Sequence, residues 1–156
     1  MVSWAELESV EPDFAARVRA RFDAHTHKVL ATLRKDGSPR ISGIEASFVG
    51  DDLWLGMMPG SRKAADVRRD PRVALHSGSA DPADGGAGWP GDAKVSGRAV
   101  EVDDPAVWAA LGAPDGGGHL FRVDLTEATV VRLGEPADHL VIEHWRAGHG
   151  LTRSRR

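Results

Sequence analysis

Residues 29–75 limit the fold more than any other part of the chain, because strand signals follow one another there with tight turns between them. Apolar or alternating runs occupy residues 29–33, 41–49 and 53–58, and another begins at residue 72. The sequence KDGSP at residues 35–39 joins the first two runs, with glycine allowing a positive φ and proline stiffening the exit. Short strands at this spacing predict an antiparallel barrel rather than alternating strands and helices.

A short helix is predicted after the third strand. A Pro-Gly pair stops the strand, Ser61 is suited to the N-cap, and Asp70 precedes a proline that disfavours the α region. Arg62 and Lys63 then lie in the first helical turn, although the helix dipole favours cations at the other end. Cations beside free backbone N–H groups predict an anion site, with phosphate as the usual ligand. Two solvated surface cations are the alternative.

The remaining elements complete a single domain over residues 1–156. Two helices are predicted at the start: a capping box at Ser3 opens the first, and Pro12 opens an amphipathic second. Further strands are expected over residues 92–102, 120–133 with a bend at 126–127, and 140–145, and a helix begins near Asp104. The total is about seven short strands. Residues 151–156 are expected to be a frayed, basic and solvated tail.

Residues 77–91 are predicted to form a loop, because the segment is rich in Gly, Asp, Pro and Ala and has no periodicity. A loop of this length in a compact domain is usually functional or mobile. Trp89 could cap a ligand pocket or attach the loop to the core.

Composition excludes several classes of function. The chain has 41% hydrophobic residues, 28% charged residues and a net charge of −3, so nucleic-acid binding is not expected. Cysteine is absent, which excludes disulfides, thiolate metal sites and a cysteine nucleophile. A metal site at His25 and His27 is not expected, because no third ligand is close in sequence. No apolar run suggests a membrane span or signal peptide, so a cytoplasmic location without membrane association is expected.

Four segments in this order resemble the flavin-binding split β-barrel family that includes pyridoxamine 5′-phosphate oxidase. They are LATLRKDGSPRISGIEASF, SRKAADVRRDPRVAL, DAKVSGRAVEVDD and HWRAGHG. The resemblance covers the chain from about residue 25 to residue 150 and implies a mainly β split barrel with flanking helices. It also implies a homodimer that binds a flavin at the dimer interface and acts on a small molecule.

The resemblance implies a set of cofactor-binding residues. The flavin phosphate would be held by Arg62 and Lys63 after the Ser61 cap, and the ring would lie along the second strand and the end of the third. The residues that match these positions are Arg40, Ile41, Ser42, Gly56, Met57 and Met58. Trp145 and Arg146 would come from the other subunit. The alternatives are a surface turn residue for Arg40, ordinary core positions for the two methionines, and a core aromatic for Trp145.

Departures from the oxidase put a vitamin-phosphate substrate in doubt. Glu45 stands about where the oxidase has a substrate-binding lysine, and its C-terminal Arg-Leu-His signature is replaced by RAGHG. The chain looks like smaller actinobacterial relatives, which use FMN or the 8-hydroxy-5-deazaflavin coenzyme (factor 420). The cofactor would carry the hydride chemistry. No acid–base residue is assigned, and His76, Lys94 and His149 are candidates for the pocket wall.

Three hypotheses follow. The first is a flavin- or deazaflavin-dependent oxidoreductase, with the deazaflavin coenzyme slightly preferred. If the cations of the first turn and of the short helix face one groove, they would suit its longer anionic tail. The second is a non-catalytic FMN-binding or haem-binding protein on the same fold, and the third is a ligand-free barrel.

Overall fold

A computed structural model describes residues 1–156 as a single eight-stranded antiparallel sheet with four helices. In chain order the elements are α1 (Trp4–Val10), α2 (Pro12–Asp23), β1 (His27–Leu33), β2 (Pro39–Val49), β3 (Asp52–Met57), α3 (Arg62–Arg69), β4 (Arg72–His76), β5 (Asp92–Glu101), α4 (Pro105–Ala110), β6 (His119–Leu133), β7 (Leu140–Arg146) and β8 (Gly150–Arg155). None of these helices combines the length and the apolarity needed to cross a membrane.

Six strands close into a barrel because β6 is long enough to pair with different neighbours along its length. The strand order is β3-β2-β1-β4-β5-β6, and residues 119–122 of β6 pair with β3 to close the ring. Residues 127–133 of β6 instead pair with β7, which extends the sheet beyond the barrel. Between these halves the β5–β6 register shifts, so Thr126 has no counterpart on β5, as expected of a β-bulge. The predicted bend at this point is therefore a bulge within one strand.

The N-terminal helices supply much of the core. The capping box of Ser3 and Glu6 is present, and α2 begins at Pro12 as predicted. Phe14, Val18 and Phe22 recur every four residues along α2 and are at most 1% exposed. They join a core cluster of 25 buried residues that includes inward side chains of the barrel strands. A smaller cluster forms where α4 packs Val107 and Trp108 against Trp54 and Leu120 on the barrel's outer surface.

The C-terminal segment differs from its prediction. Residues 150–155 are not a frayed tail but strand β8, which pairs with β7 from Arg146↔Gly150 to Val141↔Arg155. A turn at residues 147–149 reverses the chain, and Gly148 and Gly150 adopt φ values of 76° and 78° that other residues rarely take. The segment LTRSRR has no apolar alternation, so its strand conformation comes from pairing with β7 rather than from its own sequence.

The loop at residues 77–91 has no helix or strand, as predicted. The indole N–H of Trp89 donates a hydrogen bond to the Ser79 hydroxyl at 2.8 Å. This bond joins two positions within the loop, and a role of Trp89 in capping a ligand stays a prediction.

Candidate functional site

Helix α3 begins where the sequence predicts. Ser61 is the N-cap, and its hydroxyl accepts a hydrogen bond from the backbone N–H of Ala64 at 3.4 Å. The helix ends at Arg69, before the Asp70-Pro71 pair. The backbone N–H groups of Arg62 and Lys63 donate to no other backbone oxygen, so they remain available for a ligand. The cations and free donors that define an anion site are thus present together.

Asp66 organises the inner side of this helix. Its side chain is 4% exposed and accepts hydrogen bonds from Arg40 Nε at 2.6 Å, Thr32 Oγ1 at 2.8 Å and Arg69 Nη2 at 2.9 Å. Burial raises the pKa of Asp66, but these hydrogen bonds outweigh burial, and the net pKa lies below its ordinary value. Arg40 is thus a half-buried partner of Asp66 rather than a surface turn residue.

The cations of the first turn and two of the four cations of α3 face one groove, which we call the basic groove. Its volume is about 690 Å³, and its charged lining comprises Arg34, Lys35, Asp36, Arg40, Arg62, Asp66 and Arg69. Five cations therefore face two carboxylates, which leaves the groove positive. Arg68 does not contribute, because its guanidinium forms a bidentate pair with Glu101 at 2.6 and 2.7 Å. Lys63 does not line the groove either, so the geometric condition set for a long anionic tail is met only in part.

A second depression, which we call the slot, lies on the outer surface of β1, β2 and β3. It has a volume of about 360 Å³ and is lined by His27, Gly43, Ile44, Glu45, Gly56, Met58 and Lys63. A Cβ added at Gly43 or Gly56 would meet no atom within 4 Å, so both backbones are open to an approaching ligand. An adjoining apolar pocket of about 500 Å³ shares Glu45, Gly56 and Met58 with the slot and reaches Trp108 of α4.

The structure separates the two cations of the helix start. Arg62 lines the basic groove and makes no ion pair within the chain, whereas Lys63 lines the slot. Lys63 Nζ donates to the Gly43 carbonyl at 2.9 Å, which ties α3 to β2 and uses one of the three ammonium donors. The start of α3 therefore lies between the groove and the slot and offers one cation to each.

The other predicted ring-binding residues lie in three places: the slot, the core and the outer surface. Gly56 and Met58 line the slot, and Met58 is 76% exposed, so it is not an ordinary core position. Met57 is 3% exposed and belongs to the core, as its alternative stated, but it also lines the adjoining apolar pocket. Ile41 is 74% exposed on the outer surface, and Ser42 is half-buried; neither lines the groove or the slot.

The C-terminal pair has two different environments. Trp145 is 4% exposed and lies in the main core of its own chain, which favours its interpretation as a core aromatic. Arg146 is exposed at the end of β7. The pocket-wall candidates His76, Lys94 and His149 line neither the groove nor the slot. His76 instead approaches Asp92, with 3.3 Å between Nε2 and Oδ2.

Three contributors were not selected as site residues from the sequence. Asp66 could have been noticed as the only acidic residue in an otherwise basic helix. Gly43 interrupts a strand, which often marks a close approach of a ligand to the backbone. Glu45 stands out in the sequence only as a departure from the oxidase. None of these signals states which cavity the residue faces.

The fold defines the class of protein: a split β-barrel with a closed six-stranded ring and two additional strands. Residues 14–132, more than half of the chain, match the pyridoxamine 5′-phosphate oxidase family. The chain therefore belongs to this family, and the resemblance stated from the sequence is confirmed.

Solved structures support the fold. A pyridoxamine 5′-phosphate oxidase-related, FMN binding protein from Nostoc punctiforme is 15% identical with a TM-score of 0.61, covering 94% of this chain and 95% of its own. PhzG from Burkholderia lata, in complex with tetrahydrophenazine-1-carboxylic acid, is 16% identical and has a TM-score of 0.57. The match covers 96% of this chain and 91% of PhzG. General Stress Protein 26 from Bacillus anthracis is 16% identical and has a TM-score of 0.56. The match covers 74% of this chain and 91% of the Bacillus protein. No curated protein matches the chain.

Proposed function

We propose that this protein is an oxidoreductase that binds a flavin-type cofactor and transfers hydride between it and a small molecule. Membership of the pyridoxamine 5′-phosphate oxidase family supports a flavin-type cofactor, and the FMN binding relative from Nostoc punctiforme is consistent with it. The single observation that carries the proposal is the start of α3, which presents free N–H groups and a cation to each of two cavities. When bound, the ring would supply the hydride chemistry.

The residues present fit a cofactor with a flat ring and a phosphate. Arg62 keeps all five guanidinium N–H donors free of protein acceptors, and Lys63 keeps about two of its three. These groups would hold the phosphate at the helix start. Gly43 and Gly56 leave the backbone exposed in the slot, where a flat ring could approach it closely. The adjoining apolar pocket, with Met58 and Trp108, would keep water from the ring face and receive the substrate.

We further propose the deazaflavin coenzyme over FMN. FMN needs one phosphate site and a ring slot, whereas the deazaflavin coenzyme carries a longer anionic tail. The basic groove offers more cations than one phosphate requires, and they come from both β1–β2 and α3. The excess positive charge would attract an anionic tail, and added salt would weaken this attraction by screening it.

The cofactor site would be completed in a homodimer. The outer surface of β2, β1 and β4 carries Ile41 at 74% exposure, Val29 at 41% exposure and the cross-strand neighbours Ala31 and Ala74. This apolar face adjoins the slot, because His27 and Gly43 belong to the same strands. A second copy of the chain seated there would cover the face and close the slot, and Arg146 would be available to reach across.

Equilibrium titration of the apo protein with each cofactor, at low and moderate salt, tests the proposal. We expect both to bind, the deazaflavin coenzyme more tightly, with a steeper loss of its affinity as salt rises. FMN binding more tightly at both salt concentrations would show that the cofactor preference is wrong. Binding without turnover, when a reduced cofactor and an electron acceptor are supplied, would favour the non-catalytic FMN-binding or haem-binding alternative. Absence of binding by either cofactor would favour a ligand-free barrel.

A further inference from the structure

A second group of arginines lies away from the groove and the slot, around the carboxylate of Glu143 on β7. The Glu143 side chain is 0% exposed. Arg17 of α2 donates to both of its oxygens at 2.7 and 2.8 Å, Arg153 of β8 donates to Oε1 at 2.9 Å, and Arg132 of β6 donates to Oε2 at 3.3 Å. A carboxylate has about four lone-pair sites, so Glu143 is saturated and can accept nothing more.

The arginines keep donors that Glu143 cannot satisfy. Each guanidinium has five N–H groups; Arg17 uses two of them on Glu143, and Arg132 uses one on Glu143 and one on the Leu133 carbonyl at 3.5 Å. Most of the N–H groups of both side chains therefore have no acceptor in the protein. One cation is enough to neutralise one buried carboxylate. Glu143 has three arginine partners, so the cluster carries a net positive charge.

Arg17 and Arg132 also line a small cavity between α2, β6 and the end of the loop that precedes β5. The cavity has a volume of about 190 Å³ and is lined by Arg17, Ala20, Arg21, Pro90, Val130 and Arg132. No carboxylate lines it, and Arg21 forms no ion pair or hydrogen bond with the protein. Glu11 and Asp13 interact electrostatically with Arg153, and none of these three residues lines the cavity.

We propose that this cavity is a second anion site, separate from the flavin site, that binds the phosphoryl group of inorganic phosphate or of a small phosphate monoester. Glu143 fixes Arg17 and Arg132 in place before any ligand arrives, so less side-chain entropy is lost on binding. Planar guanidinium groups match phosphate oxygens with paired hydrogen bonds. The volume is below the roughly 300 Å³ of an ordinary small-molecule pocket, which excludes a nucleotide or a second flavin. Pro90 in the lining would couple the bound anion to the loop at residues 77–91.

Titration of the 156-residue chain with phosphate tests this site, with the NMR signals of the arginine Nε–Hε groups as the readout. We expect saturable shifts of Arg17 and Arg132, with chloride at matched ionic strength producing none. Arg21→Gln should weaken phosphate binding at least about tenfold, the effect of losing one charge-assisted hydrogen bond. Because Arg21 contacts no protein acceptor, this variant should unfold at the same urea concentration as the wild type. Glycerol phosphate in a parallel titration distinguishes a monoester ligand from free phosphate, and saturable binding of either supports the site.

Two controls separate this site from other anion binding. Arg98→Gln removes an exposed charge from β5, and Arg62→Gln removes one from the basic groove; both should leave the shifts of Arg17 and Arg132 unchanged. Equal phosphate binding by wild type and Arg21→Gln, or equal shifts with chloride, would overturn the inference. Loss of the response in Arg62→Gln would also overturn it, because the anion would then belong to the flavin site. Failure of flavin binding would leave these results unaffected.

Discussion

Replacement of Asp66 by Asn tests the contact network beneath the basic groove. Asn keeps the size of the side chain and an acceptor for the Thr32 hydroxyl, but it removes the charge that faces Arg40 and Arg69. Hydrogen bonds to charged groups contribute about 1.5–3 kcal/mol each, and breaking a buried pair costs up to about 5 kcal/mol. Arg69 is 38% exposed and can be hydrated, so it adds little, whereas Arg40 is 19% exposed. We expect a loss of about 2–3 kcal/mol in the free energy of unfolding at pH 7.

The pH dependence of this loss gives an independent check. The pKa of Asp66 is lowered in the folded state, so its stabilisation is present above the unfolded pKa near 4 and is lost as the pH falls through the folded pKa. The variant lacks this contribution at every pH, so the difference from the wild type should narrow in acid.

Urea unfolding followed by tryptophan fluorescence measures the Asp66 effect, at one protein concentration because dimerisation would add to stability. Asp36→Asn is the matched control: it removes a carboxylate from the rim of the same groove that bonds only Ser38, at an exposed turn. We expect the control to unfold at the same urea concentration as the wild type, because Asp36 is exposed. An Asp66→Asn protein as stable as the wild type at pH 7, or a difference that is constant into acid, would refute the reasoning.

Three further predictions concern the cofactor site, the dimer and Glu143. Lys63→Ala and Arg62→Ala should each weaken cofactor binding by about 1–3 kcal/mol in equilibrium titrations; unchanged affinity in both would make them solvated surface cations. Ile41→Lys should yield a monomer in sedimentation at micromolar concentration, whereas Val100→Lys, at another exposed strand position, should not; a wild-type monomer would contradict the dimer. Glu143→Gln should lower the free energy of unfolding by about 2–3 kcal/mol in urea, mainly because Arg17 loses a charged bidentate partner, whereas Arg132 and Arg153 are 37% and 60% exposed and can be hydrated; a loss below about 0.5 kcal/mol would show that water replaces the carboxylate for all three.

Elements with local signals were predictable from the sequence. Ser61 and Asp104 cap their helices through contacts within three residues, and Pro12 opens α2, so nearby residues alone determine these boundaries. The first strands were also predictable, because their apolar runs and the turn between them are local. Strand β8 was not predictable, because this polar and basic segment forms a strand only through its pairing with the edge of β7.

The candidate site was predictable only in part, for the same reason. The order of segments identified the family and the start of α3, but it could not show that Arg62 and Lys63 face different cavities. Nor could it show that Trp145 is buried in its own core while Arg146 is exposed. These outcomes depend on how α3 and β7 lie against the barrel, which involves residues far apart in sequence.

Net charge also concealed how the arginines are distributed. The chain carries 20 Lys and Arg against 23 Asp and Glu, yet cations outnumber carboxylates in the lining of two of its cavities. In both places one buried carboxylate holds several arginines: Asp66 binds Arg40 of β2 and Arg69 of its own helix, and Glu143 binds arginines of α2, β6 and β8. The carboxylate stabilises the arginines around it but can accept hydrogen bonds from only part of their N–H groups. Arginines that keep free N–H groups also line a cavity. A buried carboxylate with surplus arginines is therefore both a stabilising contact and the support of an anion site. Its removal should affect folding and anion binding together, whereas removal of a rim arginine such as Arg21 should affect binding alone.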